Sequence, residues 1–153
     1  DGNCMGAGLE IASCCDLRIA SEAARFGAPI AKLGFPMAPR EAALVMRSVG
    51  ELTAREMLLS AAVLDAQTMQ RRGFLNQVVK DTELAAAVAV CVQRVRPLAP
   101  QAARLNKRSF RALAPVLTES IASDLIAHAY HYADSQEHRE GVKAFTEKRP
   151  PQF

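Results

Sequence analysis

Residues Asp1 to Asp16 read DGNCMGAGLEIASCCD. Three small residues, Gly6-Ala7-Gly8, stand directly ahead of an apolar run from Leu9 to Cys15, and the pattern predicts a short helix over residues 7–15. Glu10 falls in its first turn. The start of a helix leaves backbone N–H groups without intrahelical acceptors and favours negative charge. Small residues let a ligand approach that backbone. A glycine-rich entry with an acid just behind it is therefore able to hold an oxyanion and to move a proton beside it. The same residues equally suit a tight turn, a helix start and an acid well placed in the dipole, because short Gly-x-Gly matches are common.

The rest of the 153-residue chain bounds the choice. Its length allows one domain, and a hydrophobic fraction of 50% is enough to build a core. The formal charge of +3 could help attract an anionic substrate. It is too small to argue for nucleic acid or a membrane surface. No stretch reaches the ~18–20 apolar residues that span a bilayer. Cys4, Cys14, Cys15 and Cys91 show no CxxC spacing and no paired His ligands, so they read as thiols in a reducing compartment, and a cytoplasmic location is expected. Cys14 and Cys15 are expected to pack within the first helix. The chain opens without Met on a turn before a buried-looking helix, and further sequence is expected upstream of Asp1.

Taken in order, Leu17–Ala20 and Arg25–Gly27 read as short strands with a turn between them. Residues 34–39, with two prolines, form a loop. A helix runs from Pro39 or Arg40 to Val49, where Gly50 ends it. Thr53 is the expected N-cap of the next helix, with Glu56 as its capping-box partner. Asp65 caps a further short helix that Gly73 ends. Leu75–Val79 is strand-like. Asp81 is expected to cap an amphipathic helix carrying Leu84, Val88, Cys91, Val92 and Val95 at helical spacing. Helices from Pro100 to Leu113 and from about Thr118 to Ala133 follow, then a charged tail from Ser135 to Phe153.

Read together, these residues resemble the crotonase (enoyl-CoA hydratase/isomerase) superfamily. The stretch Gly6-Ala7-Gly8-Leu9-Glu10 followed by Cys15-Asp16-Leu17-Arg18-Ile19-Ala20 is similar to that family's GGGLELALACDLRIA pattern. The match continues through Ala24–Gly27, Pro29, Lys32–Gly34, Asp65-Ala66 and Gly73–Val79. It ends on Glu140 to Pro150, which looks like the EGxxAFxEKRxP signature. Two separated signatures in the right order weigh against an unrelated helical interaction module.

The resemblance implies an α/β, crotonase-like (ClpP/crotonase) spiral of ββα units. Its C-terminal part would occupy residues 1–80, followed by an all-helical oligomerisation region over residues 81–153. It implies a homotrimer or a dimer of trimers, and a missing N-terminal part of the fold that completes the site. It also implies an acyl-CoA substrate with no cofactor beyond the coenzyme A that the substrate carries, in chemistry of the fatty-acid type. By the family's pattern, the Ala7 N–H is one of two oxyanion donors, with Gly6 and Gly8 beside it, and Glu10 is the first catalytic acid. Phe145 and Lys148 match positions that line the CoA site of an adjacent subunit; a solvated basic tail is the other reading of Lys148.

Two departures matter. The family's second acid, in FGxPExxLG, is replaced by Ile30 within Phe26–Gly34. An aliphatic side chain can neither activate water nor deliver a proton. Efficient hydration is therefore not expected, and one-base isomerisation on Glu10 is chemically easier. A non-catalytic paralogue that binds acyl-CoA or only assembles is the alternative. The loop after Gly34 also departs: Phe35-Pro36-Met37 replaces a glycine-rich run, and Phe35 and Met37 read as acyl-pocket or loop-packing residues. Glu41 reads as an ordinary first-turn acid. His128 and His131 share a helix face by spacing, but no third metal ligand accompanies them, and no metal site is expected.

Overall fold

A strand that the sequence pattern did not announce comes first. Asn3–Met5 forms β1, and the chain turns at Gly6 directly into α1, Ala7–Ser13. The structure is a computed structural model that describes residues 1–113, 123 and 126–153. In chain order there follow β2 (Ile19–Ser21), β3 (Arg25–Gly27), a 3-10 turn (Pro29–Leu33), α2 (Pro39–Val49) and α3 (Glu51–Leu59). Next come β4 (Val63–Asp65), α4 (Ala66–Arg71), β5 (Gln77–Val79) and a 3-10 turn (Asp81–Glu83). Helices α5 (Leu84–Val95) and α6 (Pro100–Leu113), a 3-10 turn (His131–Asp134) and α7 (Gln136–Thr146) complete the described elements.

The strands divide between two small sheets. In the first, β3 is central, parallel to β1 with Cys4 opposite Phe26 and antiparallel to β4 with Phe26 opposite Leu64. In the second, β2 runs parallel to β5 with Ala20 opposite Val78. Each of α1 and α4 links a strand of the first sheet to a strand of the second. That alternation makes a spiral of β and α units. Parallel pairing of β1 with β3 and of β2 with β5 requires such crossovers, because a hairpin joins only antiparallel strands.

The core lies where these units meet. Leu9 of α1, Val45 and Val49 of α2, Met57 of α3, Met69 of α4 and Phe74 are all fully buried. Burial of one such side chain contributes roughly 1.5–3 kcal/mol. Val45 and Val49 sit four apart and so share one face of α2. Pro39 suits the first turn of α2, where its missing N–H is not needed.

Several local expectations are corrected. Thr53 does not cap α3: the helix starts two residues earlier, after Gly50 at φ +84°, and Thr53 is buried inside it. Glu56 turns instead to Arg72, at 2.6 Å. Asp81 begins a 3-10 turn, and no side chain caps α5. No α5 side chain is buried; Leu84 and Cys91 are half-buried, while Val88, Val92 and Val95 are exposed. Cys14 and Cys15 lie at and beyond the end of α1, both exposed rather than packed within it. Asp65 does cap α4, its carboxylate accepting the Thr68 N–H at 2.6 Å, which holds that carboxyl below its ordinary range. Part of the helix expected near 118–133 lies outside the described residues; of its described end, residues 128–130 form a turn and His131–Asp134 a 3-10 turn instead of continuing a helix.

The tail contains α7, an element that the charge of this segment hides. Ser135 caps it by accepting the His138 N–H at 3.0 Å, with Glu137 in the first turn. A Ser followed by acids is a helix-start signal, and it stood in the sequence.

Candidate active site

Gly6 is the pivot of the opening stretch. Its backbone, at φ +51° and ψ −118°, is one that side-chain-bearing residues avoid. Its N–H donates to the Gly27 carbonyl at 3.0 Å, and its own carbonyl accepts the N–H groups of Leu9 and Glu10. Ala7 and Gly8 are thus the first two residues of α1, and their N–H groups have no acceptor within the helix. Leu9 is wholly buried and anchors the helix from beneath, whereas Ala7 is exposed and Gly8 half-buried. Glu10 is half-buried one step further on. Among the described residues its carboxylate meets no hydrogen-bond donor and no cation. Gly6, Ala7, Gly8 and Glu10 therefore form one corner: two outward N–H groups with an unpaired carboxylate beside them.

The Gly6–Gly27 hydrogen bond ties this corner to the end of β3. Two residues later, Pro29 opens the 3-10 turn that carries Ile30. Ile30 and Phe35 line an apolar cavity of about 540 Å³ together with Met37, Leu58 and Phe153; among the described residues Glu137 brings the only acidic side chain. Ala7 and Glu10 do not line that cavity. Phe35 also packs: its ring stacks on Tyr132 at 5.1 Å and meets the edge of His138 at 5.4 Å.

Helix α7 lies directly against the Ile30 turn. Gly141 faces the Leu33 backbone so closely that a methyl group there would lie 2.5 Å from the Leu33 oxygen. His138 Nδ1 is 3.0 Å from the same carbonyl, which can only accept, so Nδ1 carries the hydrogen. Beyond α7 the chain is clasped. Arg149 donates to both carboxylate oxygens of Glu140, at 2.6 and 2.9 Å, and the Gln152 N–H adds a third bond at 2.8 Å. The guanidinium and that backbone donor hold the Glu140 carboxyl down to about 2. Phe145 and Lys148 stand apart from the other candidates. Both are exposed, Phe145 to 74%, and Lys148 adopts a left-handed backbone at φ +53°.

Three features of this region were not legible beforehand: the Gly6–Gly27 bond, the Gly141 contact and the Glu140–Arg149 clasp. The first two pair residues far apart in the chain, the third joins two ends of one signature nine residues apart, and only the motif glycines and charges marked their positions. Burial pushes the Cys4 thiol up, which works against its use as a nucleophile. The His128 and His131 rings lie 4.6 Å apart, and among the described residues no three His, Cys, Asp or Glu side chains gather as a metal site. No helix among the described residues is long and apolar enough to cross a membrane.

Comparison with known proteins gives this geometry its class. The chain is 27% identical to methylmalonyl-CoA decarboxylase in a complex with 2S-carboxypropyl CoA, at a TM-score of 0.91 over 100% of this chain and 59% of that one. It is 28% identical to a carnitinyl-CoA hydratase from Mycobacterium avium, at a TM-score of 0.86 over 99% and 59%. The fold is that of the crotonase superfamily. The sequence model of the enoyl-CoA hydratase/isomerase family matches residues 1–153, and the chain belongs to that family. A 2,3-dehydroadipyl-CoA hydratase from Escherichia coli K12 is 35% identical over 156 residues, covering 100% of this chain and 60% of the relative. The chain spans about 60% of the length of the curated relatives it matches.

Proposed function

We propose that the protein acts on an acyl-CoA thioester, with the Ala7 N–H as an oxyanion donor and Glu10 as the acid/base that moves the proton. The observation that carries this reading is the corner at the start of α1, where outward N–H groups and an unpaired carboxylate adjoin. Charge that builds on a thioester oxygen is best met by fixed donors that need no reorganisation. Gly6 and Gly8 leave room for the thioester at that backbone. The reaction favoured by a single carboxylate is a double-bond shift. Glu10 removes a proton from the carbon beside the carbonyl of a 3-enoyl-CoA. The electron pair spreads onto the thioester oxygen at Ala7, and the same carboxyl returns the proton two carbons further along, leaving the double bond conjugated. No group beyond the substrate's own coenzyme A is needed.

Ile30 supports isomerisation over hydration, because it offers no group to activate water. The 540 Å³ cavity with Ile30 and Phe35 in its wall is of a size and apolarity that suit an acyl chain. Exposed Phe145 and Lys148 suit contact with the CoA of an adjacent subunit, in a homotrimer or dimer of trimers built through residues 81–153. A second oxyanion donor would come from the part of the fold that the longer relatives contain. Free thiols at all four cysteines agree with a cytoplasmic site of action.

The test is turnover of 2-enoyl-CoA and 3-enoyl-CoA by the full-length protein and its Glu10→Gln variant. Activity on the 3-enoyl substrate that falls at least about 100-fold in the variant, with CoA-ester binding retained, is the expected result. A wild type that binds the thioester but turns over neither substrate favours the non-catalytic paralogue, for which Ile30 is the specific motive.

A further inference from the structure

Arg18, in the Cys15–Ala20 stretch, is left without a task by the reading above. Its surroundings give it one. The guanidinium lies at the C-terminal end of α1. Nη1 donates to the Ala12 carbonyl at 3.3 Å and to the Cys15 carbonyl at 3.0 Å, and Nε donates to the Phe74 carbonyl at 2.6 Å. Its charged carbon sits 4.4 Å from the centroid of the Phe74 ring. The Arg18 backbone is fixed as well: its N–H donates to Asn76 Oδ1 at 2.7 Å, and its carbonyl accepts the Asn76 N–H at 2.9 Å.

These contacts close a ring. From the end of α1 the ring passes through Arg18 to Phe74, which is 1% exposed. The Phe74 ring meets the edge of Phe26 in β3 at 5.8 Å. Gly27, the next residue of β3, accepts the Gly6 N–H, which returns the ring to the start of α1. Helix α1 has only seven residues. A helix that short is marginal by itself, and its direction is set by what holds its two ends. Gly27 holds one end; Arg18 holds the other together with Ser48, whose hydroxyl donates to the Ser13 carbonyl at 3.1 Å, while buried Leu9 seats the helix between them.

We infer that Arg18 is a positioning residue that sets the direction of α1, and with it the aim of the Ala7 and Gly8 N–H groups; the inference rests on the oxyanion reading proposed above. Three acceptors on two separate segments suit the planar, forked guanidinium. A lysine keeps the charge but offers a flexible point donor. Arg18→Lys therefore retains the electrostatics at this end of the helix and loses the geometry. Misplacement of a reacting group by about 1 Å costs up to about 100-fold in rate.

The test uses the full-length protein. Arg18→Lys is expected to lower kcat at least about tenfold with KM changed less than about threefold. Lys107→Met, which removes the Lys107–Asp16 ion pair close by, is expected to leave kcat as it was. The second readout is the infrared carbonyl stretch of a four-carbon 2-enoyl-CoA carrying ¹³C at the thioester carbon, bound to Glu10→Gln protein so that no turnover intervenes. With Arg18 present the stretch falls below its solution value; with Arg18→Lys added it returns toward that value. A shift that is unchanged by Arg18→Lys, or a wild-type kcat, overturns the inference and leaves the oxyanion reading standing. An Arg18→Lys protein that does not fold also overturns it, since the role is then structural alone. No shift in the parent protein overturns the oxyanion reading, and the inference falls with it.

Discussion

Gly141→Ala separates two effects that usually act together. Alanine is the better helix former by about 1 kcal/mol, and Gly141 lies inside α7, so local propensity alone calls for a more stable protein. Packing calls for the reverse. The new methyl would sit 2.5 Å from the Leu33 oxygen and 2.7 Å from the Leu33 Cα, where ordinary contact begins near 3.4 Å. Both are backbone atoms of the 3-10 turn and cannot swing aside. Helix α7 must therefore retreat by about 1 Å, and overpacking of this kind costs about 1–3 kcal/mol. The His138–Leu33 hydrogen bond and the Phe35 stack span the same gap and weaken with it. The net expectation is a loss of about 1–2 kcal/mol, read as a lower urea midpoint at constant slope.

Gly34→Ala provides the cross-check, because its methyl would enter the same contact from the other side, 2.7 Å from the His138 nitrogen. Gly34 also has φ +70°, so alanine adds backbone strain of about 1–2 kcal/mol. Once either methyl has pushed α7 away, the second meets less resistance. The double variant should accordingly lose less than the two single losses added together. Strict additivity, or a Gly141→Ala protein at least as stable as the parent, would refute the close approach of α7 to the turn.

Three shorter expectations concern Ile30, Glu140 and Asp65. Ile30→Glu should raise hydration of 2-enoyl-CoA by about 100-fold or more if the turn borders the Glu10 corner, the usual worth of a placed acid/base group; no gain in an assay of 3-hydroxyacyl-CoA formation would separate Ile30 from the chemistry. Glu140 is held to about 2 in the fold against an ordinary 4.5, so its clasp with Arg149 stabilises fully above about pH 4.5 and is lost as pH falls toward 2. An NMR titration of the Glu140 carboxyl should show that depressed midpoint, and a midpoint near 4.5 would mean that the clasp is open in solution. Asp65→Ala should lower the thermal or urea midpoint through loss of the α4 cap, and an unchanged midpoint would count against it.

How far the sequence carried this structure depended on whether the deciding partner was near in the chain. Helix α2 ends where Pro39 and Gly50 say it should, and the Asp65 cap is local. Strand β3 matches its predicted span, Arg25–Gly27. Strand β1 was missed because NCM is too short to show alternation; it exists because β3 pairs with it. Thr53 misled because its capping pattern is genuine in form, yet Gly50 already supplies the turn and Arg72 engages both Thr53 and Glu56. Of the candidate site, the corner of Gly6, Ala7, Gly8 and Glu10 was readable since it is one continuous stretch. The tie from Gly6 to Gly27, which fixes that corner to the end of β3, was not.

The C-terminal signature shows why a motif does not sort itself into site and scaffold. Within Glu140 to Pro150, Gly141 and Ala144 are buried against the rest of the fold, and Glu140 and Arg149 are occupied by each other. These four hold α7 on the Ile30 turn and fold the chain end back, which brings Phe153 to the wall of the cavity beside Ile30. Val142, Phe145 and Lys148 of the same stretch face outward and take no part in that packing. Helical geometry makes this division within α7, because residues 141 and 144 are three apart on one face while 142 and 145 follow the next; Lys148 lies beyond the helix end. A substitution in the first set should therefore be read as a loss of stability that reaches the site through the turn. A substitution in the second should leave the isolated chain's stability unchanged and register only in what the outward face meets.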